Sequence, residues 1–141
     1  MSGNGDGDGR NGAGTPTRGS AARNAALGRY GERVAERRLV EAGMVVLDRN
    51  WRCAAGELDL VALDGTVLAV CEVKTRSAPG FEHPCAAIGV EKAARLRALA
   101  QRWIAAHPAL VRPGCEVRVD LIAVVRAPRG AARVEHVKGA C

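Results

Sequence analysis

Two alternating runs, Leu58 to Leu63 and Val67 to Arg76, flank the dipeptide Asp64-Gly65 and constrain this chain more than any other feature. Asp-Gly between such runs is a strong hairpin signal, because a type I′ turn needs positive φ at both central positions. A two-residue loop there predicts Leu63 opposite Thr66, Asp59 opposite Val70 and Glu57 opposite Glu72. Facing side chains of an antiparallel pair share a side of the sheet and alternate with period two along each strand. Glu57, Asp59, Glu72 and Lys74 therefore project from one face. The other face carries Leu58, Leu60, Ala62, Val67, Ala69, Cys71 and Val73, and is apolar throughout. A three-residue loop with Gly65 left-handed would slip the register by one and turn Glu57 and Asp59 onto that apolar face, so the shorter loop fits better. Three carboxylates in a small area raise one another's pKa unless positive charge sits among them, and a divalent cation meets that need.

Elsewhere the periodicity predicts a first helix from about Asn24 to Ala42, with Leu27, Tyr30, Val34 and Leu39 at near-helical spacing, Asn24 as its cap and Gly43 as its stop. A strand over Met44 to Leu47 follows, with Asp48-Arg49-Asn50 leading into Trp51. After the hairpin, residues 77–84 read as a loop and residues 85–88 as a short turn. A second helix over about Val90 to His107 buries Leu96, Leu99, Ala100 and Trp103 and turns Lys92, Arg95 and Arg102 elsewhere. Val117 to Val125 alternates as a strand, and a last short strand lies near Val134 to Val137. The order is α-β-β-β-α-β-β, an α/β fold with a mixed sheet flanked by helices. Residues 1–22, rich in Gly, Asn, Asp, Thr and Ser, have almost nothing to bury and read as a disordered tail, leaving one domain over 23–141.

The net charge is +6, and the tail adds none of it, since Asp6 and Asp8 balance Arg10 and Arg18. The basic part is thus the folded part, and it is arginine-rich, which suits phosphate. An Ala-, Gly- and Arg-rich composition is also what a high-GC genome writes. The clustering of charge favours nucleic acid as partner. The five cysteines form no C-x-x-C pair and the three histidines are scattered, which argues for free thiols in a reducing cytoplasm and against zinc. No Ser-His-Asp or Cys-His arrangement and no phosphate-cradling glycine motif stands out. No apolar run marks a signal peptide or a membrane span. Aromatics are few, which disfavours a base-stacking single-strand binder.

Asp59, followed at a short spacing by Glu72-Val73-Lys74, resembles the signature of the PD-(D/E)XK nucleases, the restriction-endonuclease-like fold. Gly28 to Glu32, Arg49 to Arg52, Gly56 to Val61, Val70 to Arg76, Lys92 to Leu96 and Arg118 to Asp120 together resemble the YraN-like bacterial family of predicted endonuclease-related proteins, over about residues 27–138. The resemblance implies a restriction-endonuclease-like core. It implies Mg²⁺, or Mn²⁺, held by Asp59 and Glu72, with Lys74 orienting the attacking water or stabilising developing charge. Glu32 matches a family block and would orient a water; Glu57 would assist at the metal. Arg76, Lys92 and Arg95 are candidate phosphate contacts. Each has a bland alternative: Lys74 ion-paired to Glu57 or Glu72, Glu32 a helix-surface charge, Glu57 bonded locally, Lys92 and Arg95 on an ordinary solvated helix face. Asp120, on a valine-rich strand, reads as structural. The expectation is an Mg²⁺-dependent endonuclease acting on DNA, branched DNA by analogy with archaeal junction resolvases. The alternative is an accessory protein that keeps the fold and binds nucleic acid without cutting it. A homodimer would help to cut two strands, though no residue demands one.

Overall fold

The computed structural model describes residues 18–77 and 88–140, with side chains from residue 25 onward. The first seventeen residues of the expected tail, and most of the loop and turn expected over 77–88, lie outside the described residues. The elements are α1 (Arg18–Glu41), β1 (Val45–Cys53), β2 (Gly56–Asp64), β3 (Val67–Ser77), α2 (Val90–Ala106), β4 (Val117–Arg126) and β5 (Arg133–Val137). Their order is the expected α-β-β-β-α-β-β. The strands form one sheet in the order β1-β2-β3-β4-β5, antiparallel except for the parallel pair β3–β4 that α2 connects.

α1 begins at Arg18 rather than Asn24, so the expected boundary after residue 22 falls inside a helix. It ends as expected: Gly43 takes φ +87° and the Met44 N–H bonds the Leu39 carbonyl at 3.0 Å, a left-handed stop that glycine makes without strain. β1 is longer than expected, running through the polar stretch Asp48 to Arg52. It is an edge strand, where polar side chains face solvent at no cost. The register slips between Val46 and Asp48, and Asn50 stands at φ +54° opposite Asp59.

The hairpin departs from its expected turn. Asp64 pairs with Val67 and Leu63 with Leu68, so the loop is Gly65-Thr66 rather than Asp64-Gly65. Gly65, at φ +62°, takes the first central position, where a type II′ turn needs glycine. Asp64 stays in the strand because Arg118 and Lys138 each reach its carboxylate at 3.0 Å. Val61 consequently faces Val70, and neither Asp59–Val70 nor Glu57–Glu72 is a facing pair. The register has moved by two residues, an even step, which by itself turns no side chain to the other face.

Both sheet faces are covered. Leu60, Ala62, Ala69, Cys71, Ile122 and Val124 pack with Ala35 and Leu39 of α1, and Val61, Leu68, Val70, Val119 and Leu121 pack with Leu96, Leu99, Ala100 and Trp103 of α2. The carboxylate face is therefore apolar in its middle and acidic only at one end. Leu58 was expected on the same side as Leu60. It sits instead in the α2 core, because alternation in β2 breaks around Asp59. Among the described residues Cys53, Cys71 and Cys115 are free thiols, and no helix is long and apolar enough to cross a membrane.

Candidate active site

The site lies where the sheet opens. The β2–β3 ladder ends at Leu60–Cys71, while β3 runs on beside β4 to Ser77. Beyond Cys71 the Val73 N–H no longer has a β2 carbonyl to bond. A buried donor must find another acceptor, and it donates to Asp59 Oδ2 at 2.9 Å. The break in the ladder thus anchors one carboxylate oxygen of Asp59 to the main chain.

Glu72, one residue earlier on β3, has a side chain only 15% exposed. Lys92 of α2 donates to its Oε2 at 2.5 Å, and Lys74 Nζ lies 3.6 Å from the same oxygen. A cleft of about 250 Å³ collects Glu57, Asp59, Glu72, Lys92 and Arg95 against the apolar wall of Leu96 and Leu99. Glu57, at the open side, pairs with Arg52 at 2.9 Å, and both side chains are largely exposed. Such a pair is worth at most about 1 kcal/mol.

The fourth carboxylate arrives from α1. At Gly31 a Cβ would lie 1.9 Å from Thr75 Oγ1, so only glycine lets the helix sit this close to β3. That approach brings the next residue, Glu32, to the site. Its half-buried carboxyl is raised above the usual range, first by burial and then by repulsion from Glu57, against a hydrogen bond to Asn50. Sequence reasoning assigned no role to Asn50. Its signal was the residue type: Asn is among the few side chains that tolerate a left-handed backbone.

Asp59 titrates at about 6. Burial is the largest cause; the Val73 N–H opposes it, and the charges of Glu72, Glu32 and Glu57 push in the same direction as burial. A carboxyl so held lacks positive charge at close range. The candidate donors are oxygens, and among the described residues no three Asp, Glu, His or Cys side chains converge as ligands. Two carboxylates with water and substrate oxygens completing the sphere is an ordinary arrangement for Mg²⁺ or Mn²⁺ and a poor one for zinc.

The fold brings Asp59, Glu72, Glu57, Lys92 and Arg95 together, sets Lys74 beside Glu72 and sets Glu32 close enough to repel Asp59. Arg76 is not in this group: it is exposed, and its guanidinium donates to the neighbouring Thr75 carbonyl at 3.1 Å.

A second buried acid makes a different environment. Asp120 is fully buried and accepts from Arg118 at 2.8 and 2.9 Å and from the Gly139 N–H at 3.0 Å, with His136 Nε2 at 2.8 Å. Burial alone would raise its pKa, but the bonds from His136, Arg118 and Gly139 outweigh burial and hold it at about 2. The structural reading of Asp120 agrees with this environment.

Residues 31–124 match the family described as "Uncharacterised protein family UPF0102". That span contains every candidate site residue from Glu32 to Arg95. A UPF0102 protein of Streptomyces griseus is 57% identical over 114 residues, covering 81% of this chain and 94% of the relative. A UPF0102 protein of Kineococcus radiotolerans is 55% identical over 114 residues (81% and 92%), and one of a Nocardioides species 52% over 120 residues (85% and 94%).

Proposed function

This chain belongs to UPF0102, which is the YraN-like family, and we propose that it is a divalent-metal-dependent endonuclease of the PD-(D/E)XK kind that hydrolyses phosphodiester bonds in DNA. The observation that carries this reading is Asp59: a half-buried acid fixed to the Val73 N–H, repelled by three other carboxylates and raised to about 6. Acids perturbed by burial and neighbouring charge in a cleft cluster at functional sites.

Asp59 and Glu72 would hold the metal. Mg²⁺ in that position supplies charge neutralisation at the scissile phosphate and makes water more acidic. The chain's own groups do the rest. Lys74, a flexible three-donor cation beside Glu72, orients the attacking water and stabilises charge that develops on oxygen. Glu32 reaches the same water from α1. Lys92 and Arg95 stand in the cleft with the acids and attract phosphate into it. One observation favours the runner-up, a non-catalytic binding protein: Lys92 already neutralises Glu72, so that carboxylate is satisfied without a metal.

Cleavage of labelled linear, flapped and four-way DNA with Mg²⁺, Mn²⁺ or EDTA, beside Asp59→Ala and Lys74→Ala, separates the two. Metal-dependent cutting that both substitutions abolish is the expected result. No cutting, with salt-sensitive binding intact in all three proteins, would leave the binding protein as the function.

A further inference from the structure

A second cationic feature lies away from the cleft, on the α1 side of the sheet. α1 and the chain around Ala131 to Val134 enclose a groove of about 290 Å³. Arg33, Arg37 and Arg38 line it, and Glu41 is its one acidic residue. Arg38 spans it, donating to the Val134 carbonyl at 3.4 Å. At the groove's other end Arg126 lies over the Tyr30 ring, 5.2 Å from its centroid. Arg126 pairs in register with Ser77, so the groove begins one strand away from the end of the catalytic β3.

Little neutralises these arginines, whereas three others have acidic partners. Arg49 is paired with Glu36, Arg52 with Glu57, and Arg118 with Asp64 and Asp120. Among the described residues Arg33, Arg37 and Arg126 make no ion pair. A row of unneutralised guanidinium groups is costly in self-repulsion unless an extended anion lies along it. The nearby ring, Tyr30, already has Arg126 over one face, and the described residues that line the groove include no second aromatic for stacking successive bases. The groove therefore fits the outside of a duplex, where contact is with phosphates and is indifferent to sequence.

We propose that the α1 groove is a phosphate track for duplex DNA that extends past the cleavage cleft, with Arg33, Arg37 and Arg126 gripping the backbone. This rests on the nuclease reading for its purpose but not for its test. Binding of full-length protein to a labelled duplex is measured by anisotropy in EDTA, across a salt series. The wild type is compared with Arg33→Gln/Arg37→Gln/Arg126→Gln and with Lys92→Gln/Arg95→Gln, all checked for an unchanged unfolding midpoint. Three lost phosphate contacts lower the slope of log affinity against log salt by about 2–3 in the track variant. An unchanged slope there, with binding lost only in the cleft variant, overturns the track while leaving the nuclease intact. Binding by the wild type that lacks salt dependence overturns it too. Equal loss of binding to phosphatidylserine vesicles, with duplex binding unaffected, would assign the arginines to a lipid surface instead.

Discussion

Asp59 and Asp120 are two aspartates of one sheet, the first half-buried and the second fully buried, and their environments drive them in opposite directions. Asp120 receives four bonds from Arg118, His136 and Gly139 and is held at about 2. Asp59 receives one, from Val73, faces three acids and rises to about 6. Burial acts alike on both. What differs is whether the fold itself provides the compensating charge. At Asp120 it does, and the result ties β4, β5 and the C-terminal turn together. At Asp59 the one bond supplied among the described residues is the Val73 N–H, which is what the proposed cation site would require.

The contrast is broken most readily at the staple. Asp120→Ala takes the shared acceptor from His136, the Gly139 N–H and a half-buried Arg118 that keeps only Asp64, and we expect it to lose about 3 kcal/mol of stability by denaturant unfolding. Asp59→Asn should do the reverse. It removes a charge that the fold disfavours while keeping the shape, and should stabilise the metal-free protein at pH 7 by on the order of 2–3 kcal/mol. If both substitutions destabilise, the two aspartates are not opposites.

The same contrast appears in pH. A carboxyl raised in the folded state gives up its protons later than in the unfolded state, so Asp59 makes stability fall as pH rises from about 4 to about 6. Asp120, lowered in the folded state, contributes stability that is complete above about 4 and is lost as pH falls toward 2. Unfolding free energies across pH 2–7 should therefore pass through a maximum near pH 4 from these two groups, and Mg²⁺ should flatten the upper limb alone. The smallest expected effect is at Gly31→Ala, where overpacking against Thr75 costs about 1–2 kcal/mol. It should also lower any metal-dependent cleavage by displacing Glu32; a cleavage rate equal to wild type would remove Glu32 from the site.

How much of this could be read in advance follows from which contacts are local. The gathering of Asp59, Glu72 and Lys74 rests largely on alternation within a hairpin, and it survived a wrong turn because the error was even, although the alternation itself fails at Leu58. The turn itself was not legible. Asp64 is retained in β2 by Arg118 and Lys138, partners more than fifty positions away that no window of sequence brings together. β1 was cut short for a related reason: a polar run such as Asp48 to Arg52 reads as loop until one knows that the strand is at an edge. Glu32 was found through resemblance alone, whereas its partner Asn50 and the close approach at Gly31 needed the packed helix. The Arg126–Tyr30 contact joins residues from opposite ends of the fold and left no pattern at all.

The bond between the Val73 N–H and Asp59 has a use beyond fixing the carboxylate. The Val73 amide donates to the Asp59 carboxylate, beyond the point where the β2 ladder stops. Its proton is therefore polarised by whatever charge that carboxylate carries, as no ordinary ladder amide is. A single backbone resonance at Val73 becomes a gauge of the site, moving once as Asp59 takes up its proton and again when a cation draws electron density from the oxygens. The protein carries its own indicator, in a position that no label needs to reach.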